Sequence, residues 1–218
     1  MKTIETNGIT FIKPVPDGTS EWYYGISYEH GDLYEAEEIF KNGGAVKGRD
    51  LCLIRYPEGE IFRPVARRAG SYMAEPVYFE NGIFILDVHF PEGILEILRF
   101  DCDTHETEQI MEMPLLEVRD CYNLQLHTSP VSLTRQGGAD GLFEILWPER
   151  ICFTLGEHES FFLREGEKLY FNKWFENGSG PDYRYWEETV VRNLQGVIVE
   201  TLPGDFQIMP NGEMWYIK

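Results

Sequence analysis

The chain is 218 residues long, 43% hydrophobic and 14% aromatic, which is enough apolar material to bury a sizeable core and too much for a disordered chain. Its 37 acids outnumber 19 bases, and the formal charge of -18 repels phosphate backbones and anionic lipid surfaces, which argues against nucleic acid or membrane as a partner. Four cysteines, Cys52, Cys102, Cys121 and Cys152, stand far apart with no C-x-x-C pair, so reduced thiols are expected rather than a zinc site or a disulfide framework.

The amino terminus, MKTIETNGITFIKPV, has no apolar stretch of signal-peptide length, and no later run approaches the ~20 residues of a membrane span. A soluble, cytoplasmic protein is expected. Almost no window carries the i, i+3, i+4, i+7 apolar spacing of a helix, whereas short runs of Val, Ile, Phe, Tyr and Trp are broken everywhere by Gly, Asn, Asp and Pro. In chain order the hairpin-like segments are TIETNGITFI, SYEHGDLYEA, LIRYPEGEIFRPV, YFENGIFIL, ILRFDCDTHETEQI, LHTSPVSLT, FEILWPERICFT, FFLREGEKLYF, ETVVRNLQGVIVE and QIMPNGEMWYI. Asn81-Gly82 suits the centre of a tight hairpin, where both central residues need positive φ. The turns form two alternating series, Gly31, Gly82, Pro130, Gly166 and Gly212 against Gly8, Glu58, Asp103, Pro148 and Asn193, each with a spacing of about 44 residues.

Four-stranded sheets repeating at that interval are the pattern of propeller blades. The short Pro91-Glu92-Gly93 turn belongs inside a blade, and the kinked joins PVPDGTSE, ARRAGSYMAEP and LEVRD belong between blades. The expected fold is a single all-β domain over residues 1-218, a five-bladed β-propeller with blades at about 20-66, 74-118, 120-157, 159-203 and 204-218 plus 1-16. In this reading the amino-terminal hairpin closes the last blade, with Thr3 to Ile12 lying beside QIMPNGEMWYI. A β-sandwich, or two small β domains, is the alternative. The run Phe100-Asp101-Cys102-Asp103-Thr104-His105-Glu106-Thr107-Glu108 resembles the aromatic-Asp-x-x-Thr-x-Glu outer hairpin of many β-propeller families. The resemblance implies an architecture and no particular activity. Asp101, Asp103 and His105 span one short arc of a metal shell, so this acidic run reads as a solvated turn, and His30 beside Asp32 reads the same way.

Each expected innermost strand follows an acid: Glu21, Glu75, Asp120, Glu159 and Asp205. In a propeller these carboxylates would ring the channel mouth, with Arg68 and Arg119 as neutralising cations. Trp22, Tyr72, Tyr122 and His158 stand beside them in sequence and would supply stacking surfaces. The function expected is a non-catalytic ligand-binding or protein-interaction module that takes a small polar ligand, a sugar or a protein loop. The alternative is a glycoside hydrolase with two of these carboxylates as its acid and base. No cofactor or metal is called for, and the absence of G-x-S-x-G, H-E-x-x-H, phosphate-loop and dinucleotide glycine motifs weighs against the enzyme.

Overall fold

Short β-branched and aromatic runs, bounded by turn-forming residues, fold into antiparallel meanders, and the described residues are all-β apart from one α-helix and two 3-10 turns. The computed structural model describes every residue except Asp17, Glu29, His30, Ala139 and Pro210. The expected turn at Glu29 and His30 therefore lies outside the described residues. The chain divides into two compact units, Met1–Cys121 and Tyr122–Lys218.

The first unit opens with a four-stranded meander: β1 (Lys13–Pro14), β2 (Trp22–Ile26), β3 (Leu51–Arg55) and β4 (Glu60–Phe62). Between β2 and β3 the chain forms α1 (Leu33–Lys41) where a hairpin was expected. The cause is a capping box: Asp32 Oδ1 accepts from the Glu35 amide (2.8 Å), and Glu35 Oε2 accepts from the Asp32 amide (3.2 Å). A second sheet follows, made of β5 (Ser71–Met73), β6 (Val77–Phe79), β7 (Gly82–His89), β8 (Ile94–Asp101) and β9 (Thr107–Pro114). In it β7 runs down the middle, with β5 and β6 sharing one of its edges and β8 on the other. The two sheets share a core of Trp22, Tyr24, Leu53, Met73, Ile85 and Phe100.

The second unit contains two meanders and a hairpin. The first meander is β10 (Leu124–His127), β11 (Ser132–Gln136), β12 (Leu142–Trp147) and β13 (Ile151–Thr154). The second is β14 (Glu159–Glu165), β15 (Lys168–Asn177), β16 (Arg184–Asn193) and β17 (Ile198–Pro203). The rings of Phe143, Phe161 and Phe171 interlock at 4.8–5.4 Å between these two sheets. The hairpin is β18 (Asp205–Ile208) and β19 (Met214–Ile217), whose Phe206 and Ile208 pack with Leu163, Tyr170 and Val191.

Two expectations are corrected. Among the described residues β18 and β19 pair only with each other, and residues 3–12, expected as the outer hairpin of the last blade, form no strand. The Asn7-Gly8 turn does form, with φ of 58° and 90°, but Ile4, Ile9 and Ile12 bury themselves against Cys52 and Ile54 of β3. The apolar face of β3 thus captures the segment. The tight turn before β7 is centred one residue earlier than expected, on Glu80-Asn81 (φ 44° and 59°), because Phe79 pairs with Gly82. A Cβ at position 82 would stand 2.7 Å from Arg99 Nε, so the glycine there serves packing rather than the turn.

Candidate functional site

Three of the sequence-selected residues, Tyr122, His158 and Glu159, meet in one cleft of the second unit, with a volume of about 570 Å³. The loops before β10, after β11 and before β14 build it, and Asn123, Gln136 and Asp140 add polar groups to its lining. Its walls come close because they are glycine. A Cβ at Gly137 would meet Asp140 Oδ1 at 1.8 Å, one at Gly156 would meet Glu159 Oε1 at 2.7 Å, and one at Gly138 would stand 3.1 Å from the Tyr122 ring.

The charges of the cleft are fixed from behind. Glu159, only 4% exposed, takes a bidentate pair from Arg192 (3.0 Å to Oε1, 2.8 Å to Oε2 from Nη2), and Lys173 Nζ lies 3.7 Å away. Arg135, 1% exposed, holds Asp140 (3.1 Å) and Glu144 (3.0 Å). Gln136 spans the two sheets, donating to the Glu159 carbonyl (2.6 Å) and accepting from the Phe161 amide (2.9 Å). His158, exposed and held at φ 61°, lies on Trp174 with ring centroids 3.9 Å apart, and Trp174 in turn stacks on Tyr185 at 6.5 Å. Trp174 and Tyr185 belong to an arm: β15 and β16 pair out to Asn177 and Arg184, well beyond the reach of β14 and β17. Phe175 and Trp186 stack nearly parallel on the same arm, at 5.1 Å.

The remaining selected residues do other things. Trp22 is 3% exposed and packs edge-on against Phe100 and tilted against Phe62, both at 5.5 Å, so it is a core residue and offers no stacking face. The alternation of β2 sends Trp22 and Tyr24 to the same inner side. Tyr72 is buried, donates its hydroxyl to the Gly31 carbonyl (3.0 Å) and lies 4.0 Å beneath the Arg49 guanidinium; burial pushes its phenol up to about 12. Glu75 pairs with Lys13 (2.7 Å) and borders a second cleft, of about 550 Å³, with Tyr24 and Arg49. Burial pulls the Glu75 carboxyl upward, but its bonds to Lys13 and Tyr24 outweigh this and hold it below its ordinary value. Arg68 lies 3.3 Å from His89 Nε2. Asp205 accepts from the neighbouring Phe206 amide (2.7 Å). Glu21 and Arg119 are exposed, and Asp120 is half-buried.

The acidic turn is a turn. Asp101 Oδ1 accepts from the Asp103 (3.0 Å) and Thr104 (2.9 Å) amides, and these bonds, from Thr104 first, draw its carboxyl down to about 2. Among the described residues, one group of three or more His, Cys, Asp or Glu side chains has donor atoms converging within 4.8 Å, namely Asp87, His89 and Glu96 of the first unit. Sequence reasoning passed over these three, and it passed over Trp174 and Tyr185 as well. The signal for the arm was present in KWFENGSGPDYRYW, where aromatics flank a glycine- and proline-rich tip on both sides. Among the described residues no helix is long and apolar enough to cross a membrane. No family model matches the chain, and no curated protein does either.

Proposed function

We propose that the second unit is a non-catalytic binding module for a small polyhydroxylated ligand of the sugar class. The observation that carries this is the cleft of Tyr122, His158 and Glu159, continued by the Trp174 and Tyr185 rings. Apolar sugar faces stack on such rings, while Asn123, Asp140 and the glycine-lined backbone offer donors and acceptors to hydroxyls. The cleft acids come already oriented by guanidinium groups, which lowers the ordering cost of binding.

Binding is favoured over hydrolysis by the same geometry. Both oxygens of Glu159 are engaged by Arg192, so neither is free to pass a proton to a leaving group. The five-bladed propeller is proposed in the same spirit: four antiparallel meanders and a hairpin in chain order are what such a fold is assembled from. An experimental structure without an axial channel would remove that part.

A glycan array followed by calorimetry tests the binding. Trp174→Ala and Tyr122→Ala are each expected to weaken a captured glycan by about three- to tenfold, with unfolding midpoints little changed. Turnover of a chromogenic glycoside panel would instead support the hydrolase, and a glycan-blind protein would end the sugar reading.

A further inference from the structure

We propose that Asp87, His89 and Glu96 form a binding site for a divalent transition ion of the zinc class. The strand pattern assembles them. Asp87 and His89 alternate onto one face of β7, and the four-residue turn that follows sets Glu96 of β8 directly opposite Asp87. Two carboxylates facing each other in the middle of a sheet repel unless a cation lies between them. These two are buried as well, with Asp87 and His89 each 1% exposed and Glu96 7%.

Asp87 supplies the independent sign of a missing partner. Among the described residues neither of its carboxylate oxygens has a hydrogen-bond partner, an uncommon state for a buried charged group. Ser71 does not relieve it, because the single Ser71 hydroxyl proton goes to the Arg68 carbonyl at 3.0 Å. His89 Nε2 lies 3.4 Å from Asp87 Oδ2 and 2.9 Å from Glu96 Oε2. Ligands held about 2.0–2.2 Å from a zinc ion stand roughly 3.0–3.5 Å apart, so both edges already have nearly the length of a coordination polyhedron. The third edge is no longer than 4.8 Å and closes with a carboxylate rotation. One imidazole with two carboxylates suits zinc and its neighbours better than calcium or magnesium, which prefer all-oxygen shells.

Arg68 completes the arrangement as a competitor. Its Nη1 lies 3.3 Å from His89 Nε2, the ring nitrogen a metal would take, while the side chain as a whole is exposed and reaches in from the segment before β5. The guanidinium neutralises the acids when no ion is bound and swings toward solvent when one binds.

The test is titration of the full chain with Zn²⁺ by calorimetry and with Co²⁺ by visible absorption. One equivalent should bind, with the intense visible bands of four-coordinate cobalt. Asp87→Asn and His89→Gln, each checked for folding by circular dichroism, should weaken zinc about 100-fold. Arg68→Met removes no ligand from the surface-exposed approach, and it should bind zinc about tenfold tighter. That variant keeps the test decisive if the ligand variants fail to fold. Absence of binding in the wild type, equal affinity in the folded ligand variants, or unchanged or weaker affinity in Arg68→Met would each overturn the proposal.

Discussion

Asp87 in the first unit and Glu159 in the second are both acids taken out of water on strands of an antiparallel sheet, and they are treated in opposite ways. Glu159 meets a bidentate guanidinium, a more distant ammonium, and a glutamine that grips its backbone. Asp87 faces a second carboxylate, and among the described residues neither of its oxygens is hydrogen-bonded. A fully paired buried charge holds its neighbours in one geometry, and here it orients one wall of a cleft. An unpaired one leaves an electrostatic penalty in place, which an incoming cation can relieve.

The largest effect should come from breaking the satisfied pair. Arg192→Met strands the Glu159 carboxylate and is expected to cost about 3–5 kcal/mol in urea unfolding, while the double variant Glu159→Leu with Arg192→Met should recover most of it. Asp87→Asn in metal-free protein should cost nothing and gain about 1 kcal/mol, since it removes a buried charge set directly against a second carboxylate. If Asp87→Asn destabilises as Arg192→Met does, the contrast between the two acids disappears.

His127 represents a third treatment, a half-buried ring held in the neutral form. Its ring stands edge-on to Phe161 at 4.7 Å, and burial pushes its pKa down from 6.5 to about 4. The unfolded chain therefore takes up a proton near pH 6.5 and the folded chain only near pH 4. The stability attached to the neutral ring is complete above pH 6.5 and is lost as the pH falls toward 4, by at most about 3 kcal/mol. His127→Gln should flatten the fall in unfolding midpoint over that window relative to the wild type. An identical slope in both proteins would show that the ring is not held neutral.

Much of this was legible in the sequence and some was not, for reasons that differ by residue. The Pro91-Glu92-Gly93 turn was legible, with Gly93 at φ 66° and its amide bonded to the His89 carbonyl at 2.9 Å. Carrying its register outward already pairs Asp87 with Glu96, so the cluster could have been found by counting from the turn. The Tyr122, His158 and Glu159 cleft was visible only as three of eleven candidate residues, because a residue's position before a strand says nothing about which loops converge. Trp22 was misjudged because an aromatic beside an acid looks the same whether the alternation turns it in or out. The path of the amino terminus depends on which apolar surface it meets, and the pattern of Ile4, Ile9 and Ile12 does not encode that choice.

The smallest predicted effect is the control for the rest, a charge fully hydrogen-bonded yet in water. Asp32 and Glu35 close a reciprocal capping box at the start of α1, and Asp32 Oδ1 satisfies an amide that the helix cannot pair itself. Asp32→Ala removes that acceptor and should cost about 1 kcal/mol, whereas Asp32→Ser keeps a capping oxygen and should cost only a few tenths. Solvent screens the charge at this site, so the loss should depend little on salt and should stay well below that of Arg192→Met. A loss of similar size at both positions would mean that burial is not what separates them, and the reading of Asp87 and Glu159 as opposites would fail with it.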